Sequence, residues 1–566
     1  MKKSGLITPL IATMLLIFVF YSTEIAGQSS VEPHETVGDG YTPVNRSGMQ
    51  RGAAYRYQTP VFSVVQVNVD ESGNNIIGDA SNEPSIAVNP TNPQEMVIGW
   101  RHFETIQSNF RQAGMAYTTD GGETWTFPGV LDPGIFRSDP VLVAGSDGTV
   151  YYNSLTVEGN SDYLCHVFRS EDDGQSWSEP VFAYGGDKQW MTIDRSGGPG
   201  NDHLYAYWNA SYSVCPPNMF TRSVDQATSW EECISVPGEP YWGTLTVDAE
   251  GRLYIGAWSW AGFRVARSFN AQFAGEDIEW DVQGFVNLDG GLVGFGGYQC
   301  PNPSGLLGQT IIDVDRSNGP YFNNVYMLAS VERYSVNDPC DVMFSRSTDG
   351  GVSWSEPVRV NDDPGTNAWQ WFGTMSVAPN GRIDVVWLDT RDNPGGVNSR
   401  LYYSWSEDAG ETWSPNMALS ESFNPHLGWP QQDKMGDYFD MVSDENGAHL
   451  AWAATFNVEQ DVYYSRILFP TTGIKPSGVQ PNLLGQNYPN PFSGTTTFRY
   501  SVKNYDDVRF TIINSAGQEV YQESCKARPG SNAATFDLGF LPGGIYTCRL
   551  ETTDGTFYRK MIRSAD

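Results

Sequence analysis

Apolar positions along most of the chain fall in short runs, some alternating with polar residues and some continuous. Clusters of Gly, Asp, Asn, Ser and Pro separate them. Val61-Phe-Ser-Val-Val-Gln-Val67, Met375-Ser-Val377, Ile383-Asp-Val-Val-Trp387 and Leu401-Tyr-Tyr403 are examples. Runs rich in β-branched and aromatic residues between turn formers predict strands, because such side chains pack on a pleated surface and Gly, Asp and Asn bend the chain.

The pattern repeats. Thr118-Thr-Asp120-Gly-Gly122-Glu-Thr124-Trp125 returns as Ser170-Glu-Asp172-Asp-Gly174-Gln-Ser176-Trp177, as Ser347-Thr-Asp349-Gly-Gly351-Val-Ser353-Trp354 and as Ser406-Glu-Asp408-Ala-Gly410-Glu-Thr412-Trp413. A degenerate copy, Ser223-Val-Asp225-Gln-Ala227-Thr-Ser229-Trp230, has Ala in place of Gly. Successive copies start 52, 53 and 59 residues apart, and the remaining gap of 124 is about twice the unit. A copy without the octamer is therefore expected around Val265-Ala-Arg-Ser268 with Trp280, and another around Val462-Tyr-Tyr-Ser465-Arg466. A unit of about fifty residues holding four short strands is a propeller blade. Third strands near 116, 168, 221, 266, 344, 403 and 464 make seven blades, with six and an irregular insert as the alternative. The strand 61–67 has no partner of its own and is expected to complete the last blade, removing exposed sheet edges.

Each octamer has the chemistry of a hairpin turn. The hydroxyl and the carboxylate accept backbone N–H groups, the Gly takes a positive φ, and the Trp buries its ring against the sheet. The Asp lacks the ligand spacing of an EF-hand, so no metal is assigned; a structural calcium stays open, and no cofactor is expected. Asp120, Trp125, Asp172, Trp177, Asp225, Trp230, Asp349, Trp354, Asp408 and Trp413 are thus read as structural. The octamers resemble the Asp-box, or bacterial neuraminidase repeat, of sialidases and many other propellers, over roughly residues 61–470. The resemblance implies the fold and not the reaction, since in sialidases the boxes lie at blade edges away from the active centre.

The ends differ from the middle. Lys2 and Lys3 precede an apolar run from Leu6 to about Tyr21 that is interrupted by Pro9 and followed by Ala26-Gly27. This reads as a signal peptide over 1–27, too short to span a bilayer; no later stretch is expected to cross one. Residues 28–60 read as linker, 61–470 as propeller, 471–483 as a second linker and 484–566 as a separate domain. From Leu484 onwards nine Lys/Arg face eight Asp/Glu, a net of +1 that leaves −33 for the rest. Alternating strands around 497–502, 508–513, 535–537, 544–547 and 557–562 predict a small immunoglobulin-like β-sandwich, for which carbohydrate binding or packing on the propeller is one reading. Tyr488-Pro-Asn-Pro-Phe492, Ile513-Asn-Ser-Ala-Gly-Gln-Glu-Val520, Leu541-Pro-Gly-Gly-Ile-Tyr546 and Lys560-Met-Ile562 resemble the type A C-terminal sorting domain of the type IX secretion system. The resemblance implies Sec export, passage of the outer membrane with the secretion machinery as partner, and a secreted or outer-surface location.

Export makes disulfides possible. Proximity suggests Cys215 with Cys233, Cys300 with Cys340 and Cys525 with Cys548, leaving Cys165 as a buried thiol.

Charge narrows the partners. The chain of 566 residues has 66 Asp+Glu against 34 Lys+Arg, a formal charge of −32, which opposes binding to nucleic acid or anionic lipid. No GxGxxG, Walker loop, HExxH or GxSxG is present, and the six His are scattered. Polar clusters at the ends of strands are the candidates for ligand contact: Arg101 and Glu104; Asp187, Lys188 and Trp190; Tyr241 and Trp242; Asp389 and Arg391; Asp437 and Tyr438. Arginine forks onto carboxylates, carboxyl groups move protons, and aromatic rings stack on sugar faces. Likeness to sialidases would imply an arginine triad, a Tyr nucleophile with a Glu partner and an acid/base Asp. The Arg-Ile-Pro segment of that family is replaced here by Glu83-Pro-Ser-Ile-Ala87, and no catalytic residue is assigned. Two functions follow: a propeller that recognises glycans or surface proteins at its mouth, and, as the alternative, an exo-sialidase-like glycoside hydrolase.

Overall fold

The computed structural model describes residues 34–469 and 484–564, apart from 160, 161, 295, 486, 488, 503, 515, 516, 529 and 554. The expected signal peptide and the linker 471–483 lie outside the described residues. The chain is all-β: two short 3-10 turns, Arg46–Gly48 and Ala210–Tyr212, are the helical elements among those residues. No helix among the described residues is long and apolar enough to cross a membrane.

Seven antiparallel sheets of three to five strands succeed one another as propeller blades. Blade 1 is Ala80–Val88, Met96–Phe103, Gln112–Thr118 and Thr126–Leu131. Blade 2 is Ser138–Ala144, Val150–Glu158, Asp162–Ser170 and Val181–Phe182. Blade 3 has Trp190–Ile193, Leu204–Tyr207 and Phe220–Ser223. Blade 4, which has no octamer, is Tyr241–Val247, Leu253–Ser259, Gly262–Ser268 and Val282–Val286. In blade 5, Gly290–Leu292 and Ile311–Val314 both pair with Val325–Arg333, followed by Asp341–Ser347 and Val358–Arg359. Blade 6 is Gln370–Val377, Ile383–Asp389, Arg400–Ser406 and Met417–Ala418.

Blade 7 combines Asp440–Asp444, Gly447–Ala454 and Asp461–Leu468 with Phe62–Gln66 and Arg56–Gln58 from the start of the chain. The expected role of the early apolar strand is met by the pairing Phe62↔Ile467 through Gln66↔Tyr463. Inner strands touch from each blade to the next, and those of blade 7 meet those of blade 1, where Ser85 Oγ donates to Asp440 Oδ2 at 2.6 Å.

The octamers follow the third strands, and in blades 1, 2, 5 and 6 they form the turn to the fourth. In blade 2, Ser170 Oγ donates to Asp172 Oδ1 and accepts from Gly174 N, while Asp172 receives Ser176 N at 2.8 Å and Ser176 Oγ at 2.6 Å. The same bonds recur at Asp120, Asp225, Asp349 and Asp408. Two successive residues take positive φ in every copy, Gly121 and Gly122 in the first and Ala409 and Gly410 in the last. The turns also fasten neighbouring blades. Trp125 packs on Tyr464 of blade 7 with ring centroids 5.3 Å apart, and Trp413 on Phe344 of blade 5 at 5.2 Å.

Residues 484–564 form a sandwich. Thr495–Val502 pairs with Gly530–Asp537, and a second sheet runs in the order Glu519–Ala527, Asp506–Asn514, Gly544–Thr552, Gly555–Arg563. Phe498, Phe510, Ile512, Phe536 and Leu550 are among its buried core residues.

Two expectations are corrected. Cys215 and Cys233 are bridged, but Cys300, Cys340, Cys525 and Cys548 are thiols, as is buried Cys165. Cys525 faces Val508 and Cys548 faces Ile512 on opposite sides of one strand; four residues along a strand is about 13 Å, beyond the reach of a disulfide. Cys340 Sγ instead donates to Gln370 O at 3.1 Å. Secondly, residues 34–60 are not a linker. They hold pairing strands, Arg51–Ala53 with Asn74–Ile76 and Arg56–Gln58 with Phe62–Gln66, and Arg46 pairs with buried Asp79 at 3.0 Å. Their anchors are charges, backbone bonds and isolated aromatic rings such as Tyr55 on Phe456, which leave no hydrophobic period to read.

Candidate functional site

Register fixes the two ends of each blade. In blade 1, Ala80 lies opposite Phe103 and His102 opposite Gln112, whereas the octamer follows Thr118 at the other end, opposite Met96. Arg101 and the start of each inner strand therefore share the end remote from the octamers. At this end the inner strands carry a repeated irregularity. Glu83, Asp139, Lys188, Trp242 and Phe372 all have φ between 47° and 56°, and the ladder slips beside Glu83, Trp242 and Phe372. Positive φ is uncommon in residues with a Cβ and recurs here at one structural position, where a bulge re-aims a side chain.

A buried charged cluster results. Arg101, fully buried, meets Glu83 Oε2 at 2.6 Å and Glu35 Oε1 at 3.0 Å. Arg111 also pairs with Glu35. Lys434 Nζ lies 2.7 Å from Glu35 Oε1 and 2.9 Å from Asp437 Oδ2. Lys188 Nζ is 3.0 Å from Asp437, 3.4 Å from Asp187 and 3.7 Å from Glu35. The remaining contacts bind the blades together. Lys188 N donates to Asp139 Oδ2, Asp437 N to Glu83 Oε1, and Tyr438 OH to Pro140 O at 2.7 Å. Gly436, at φ 94°, lets the chain pass Glu83, whose Cβ would lie 2.7 Å from any added methyl.

Burial and charge compete over each carboxyl. Burial pushes the Glu35 carboxyl up, but Arg111, Lys434, Arg101 and Lys188 together hold it well below the usual range. Asp437, against the same penalty, is held low by Lys188 and Lys434. Glu83 goes the other way: burial dominates Arg101, Asp139 and Asp437 add repulsion, and its pKa rises to about 8. Asp187 is likewise raised by burial, to about 7, against the pull of Lys188. Oxygens of Glu35, Glu83 and Asp139 lie within 4.8 Å of one another, and Arg101 already bridges the first two, with Arg111 also on Glu35.

The expected site residues divide. Arg101, Asp187, Lys188 and Asp437 belong to the cluster, with Tyr438 beneath it and Trp190 edge-on to Tyr438 at 5.0 Å. Tyr241 and Trp242 sit at the same end of blade 4, their rings 4.8 Å apart. Beside them stand Trp260 and, in blade 5, Tyr334, each 76% exposed; Trp260 is 5.7 Å from Tyr241. Glu104 lies elsewhere and accepts from Val44 N at 3.3 Å. Asp389 and Arg391 tie a turn together: Asp389 takes Arg391 Nε and Trp387 Nε1, and Arg391 reaches Asp362 and stacks on Tyr402. Glu35, Glu83, Arg111, Asp139 and Lys434 were not among the sequence candidates. Glu83-Pro84 and Asp139-Pro140, each an acidic residue and a proline near the start of an inner strand, are the signal that was present. A 410 Å³ depression lined by Leu131, Phe168 and Trp177 lies away from this site, beside the octamer of blade 2.

Comparison with known proteins matches residues 486–564 to the family model of the secretion system C-terminal sorting domain. No curated protein matches the chain. Among solved structures, a protein of unknown function from Dyadobacter fermentans is 13% identical, covering 72% of this chain and 99% of its own, with a TM-score of 0.41. The Hadza microbial sialidase Hz136 is 13% identical over 69% of this chain and 66% of its own, TM-score 0.36. A Trypanosoma rangeli sialidase, in complex with 2,3-difluorosialic acid, is 9% identical over 90% of each chain, TM-score 0.36.

Proposed function

We propose that this is an exported recognition propeller that binds acidic glycans at the octamer-free end, and that its C-terminal domain delivers it through the type IX secretion system to the medium or the outer surface. The observation that carries the reading is the convergence of Arg101, Arg111, Lys188 and Lys434 on a single carboxylate. Charge-assisted bonds of this kind select carboxylates. The exposed rings of Trp260 and Tyr334 at the same end supply faces for sugar stacking. Buried polar atoms there, Arg101 Nη2, Gln189 Oε1, Gln309 Nε2 and Gln370 Oε1, have no hydrogen-bond partner among the described residues, so a polar ligand gains bonds on arrival.

Recognition is favoured over sialidase-like hydrolysis. Two of the four cations are lysines where that chemistry employs three arginines, and the Tyr438 hydroxyl donates to the Pro140 carbonyl and not to the neighbouring Glu83 carboxylate. The test is to probe the secreted protein on a glycan array and with a fluorogenic sialoside. Binding to uronate- or sialate-containing glycans, weakened in Trp260→Ala, with no fluorophore release, is expected. Turnover of the sialoside would replace this reading with the hydrolase, and an array without acidic hits would remove it.

A further inference from the structure

The cationic cradle is filled from within the chain. Glu35 is the single buried residue of the stretch 34–50, and it is a charged one, 2% exposed. Its carboxylate takes Arg101, Arg111 and Lys434, its N–H donates to Asp187 Oδ1 at 3.1 Å, and its carbonyl accepts Tyr163 OH at 2.6 Å. His34 stacks on Tyr212 at 4.0 Å, and Arg111 Nη1 also donates to Thr36 O at 2.9 Å. Beyond this point the segment runs over the surface. Asp39 exchanges bonds with Ser108 and Asn109, Tyr41 leans on Phe110, and Val44 N meets Glu104.

We propose that residues 34–45 are a displaceable plug whose Glu35 carboxylate is an internal ligand, and that carboxylate-bearing sugars enter the cradle by exchanging with it. This rests on the recognition reading above and adds what governs access to the site. Three features support exchange over a permanent structural role. The bonds to Glu35 are those an external carboxylate would make. No apolar side chain of the segment is fully buried, Tyr41 and Val37 staying 39% and 44% exposed, so its release gives up limited hydrophobic stabilisation. Without Glu35, Arg101, Arg111, Lys188 and Lys434 lose the carboxylate on which all four converge, so the emptied cradle calls for an anion.

Hydrogen–deuterium exchange on the full secreted chain at neutral pH tests this, with D-glucuronate as probe and D-glucose as its uncharged control. Glucuronate is expected to speed exchange of residues 34–45 by about tenfold or more at saturation, and glucose to leave it unchanged. A segment equally protected under both sugars overturns the proposal, and this experiment needs no variant. Calorimetry adds a second arm: folded Glu35→Ala should bind glucuronate at least about tenfold more tightly than the natural chain, since no internal competitor remains. Equal affinity in the two proteins also overturns it. An array with acidic hits but a segment indifferent to glucuronate removes the plug and leaves the recognition reading. A blank array with glucuronate-released residues 34–45 does the reverse for the glycan, leaving a carboxylate site with a plug.

Discussion

Asp172 shows how much one side chain of a repeat does. Its two oxygens hold the N–H and hydroxyl of Ser176 and the hydroxyl of Ser170, closing a turn whose next residues take a conformation few side chains tolerate. Asp172→Ala is expected to cost about 1–3 kcal/mol in denaturant unfolding, the range for orphaned turn donors. Gly410 is more exacting: at φ 79° an added Cβ would lie 2.1 Å from the Phe344 ring. Gly410→Ala should lose about 3 kcal/mol from strain and overpacking together. Ala227 occupies the matching place at φ 62°, so Ala227→Gly is expected to raise the midpoint temperature; a fall would show that its methyl packing outweighs the strain. At the mouth, Arg101→Ala leaves buried Glu83 without its cation and takes one of four from Glu35, and should cost about 3–5 kcal/mol.

Strands set where these residues stand. The apolar strand Phe62–Gln66 comes from the start of the chain and completes blade 7, with Val64 1% exposed in the core. Val64→Asp buries an unpaired carboxylate there and should make blade 7 cleavable in limited proteolysis while the C-terminal sandwich persists; unchanged resistance would deny the strand its closing role. The same elements explain what sequence could and could not yield. Third strands and octamer turns were legible because their chemistry is local: an Asp bonds four residues ahead, a Trp packs on the adjoining sheet. The cradle was half legible. Arg101, Lys188 and Asp437 stand in recognisable polar clusters at strand ends, but Arg111, Glu83, Asp139 and Lys434 reach it by bulges and by blade order, which no local period encodes. Glu35 was hidden most completely, since its segment docks by charge and resembles a solvated linker.

For the whole molecule, opposed titrations shape stability. The carboxyls of Glu35, Asp437, Asp444 and the octamer aspartates Asp120, Asp172, Asp225 and Asp349 overcome burial through cationic or hydrogen-bonding partners and are held low. Their contribution is present above the unfolded carboxylate range and is lost as pH falls through the folded values. Glu83, raised by burial to about 8, and Asp187 and Asp461, raised by burial to about 7, have the opposite sign. Their contribution is full below the unfolded range and is lost as pH rises towards neutrality and beyond. Midpoint temperature is thus expected to peak near about pH 5 and decline on both sides. Glu83→Gln should flatten the alkaline limb; a limb unchanged by that substitution would place the lost protons elsewhere.

The most direct measurement is a crystal structure of Glu35→Ala soaked with an acidic glycan that the array identifies. A carboxylate seated between Arg101, Arg111 and Lys434, with its sugar ring towards Trp260 or Tyr334, is the predicted result. Glycan density in the depression beside Trp177, or anywhere else while those cations face no ligand, would contradict the account.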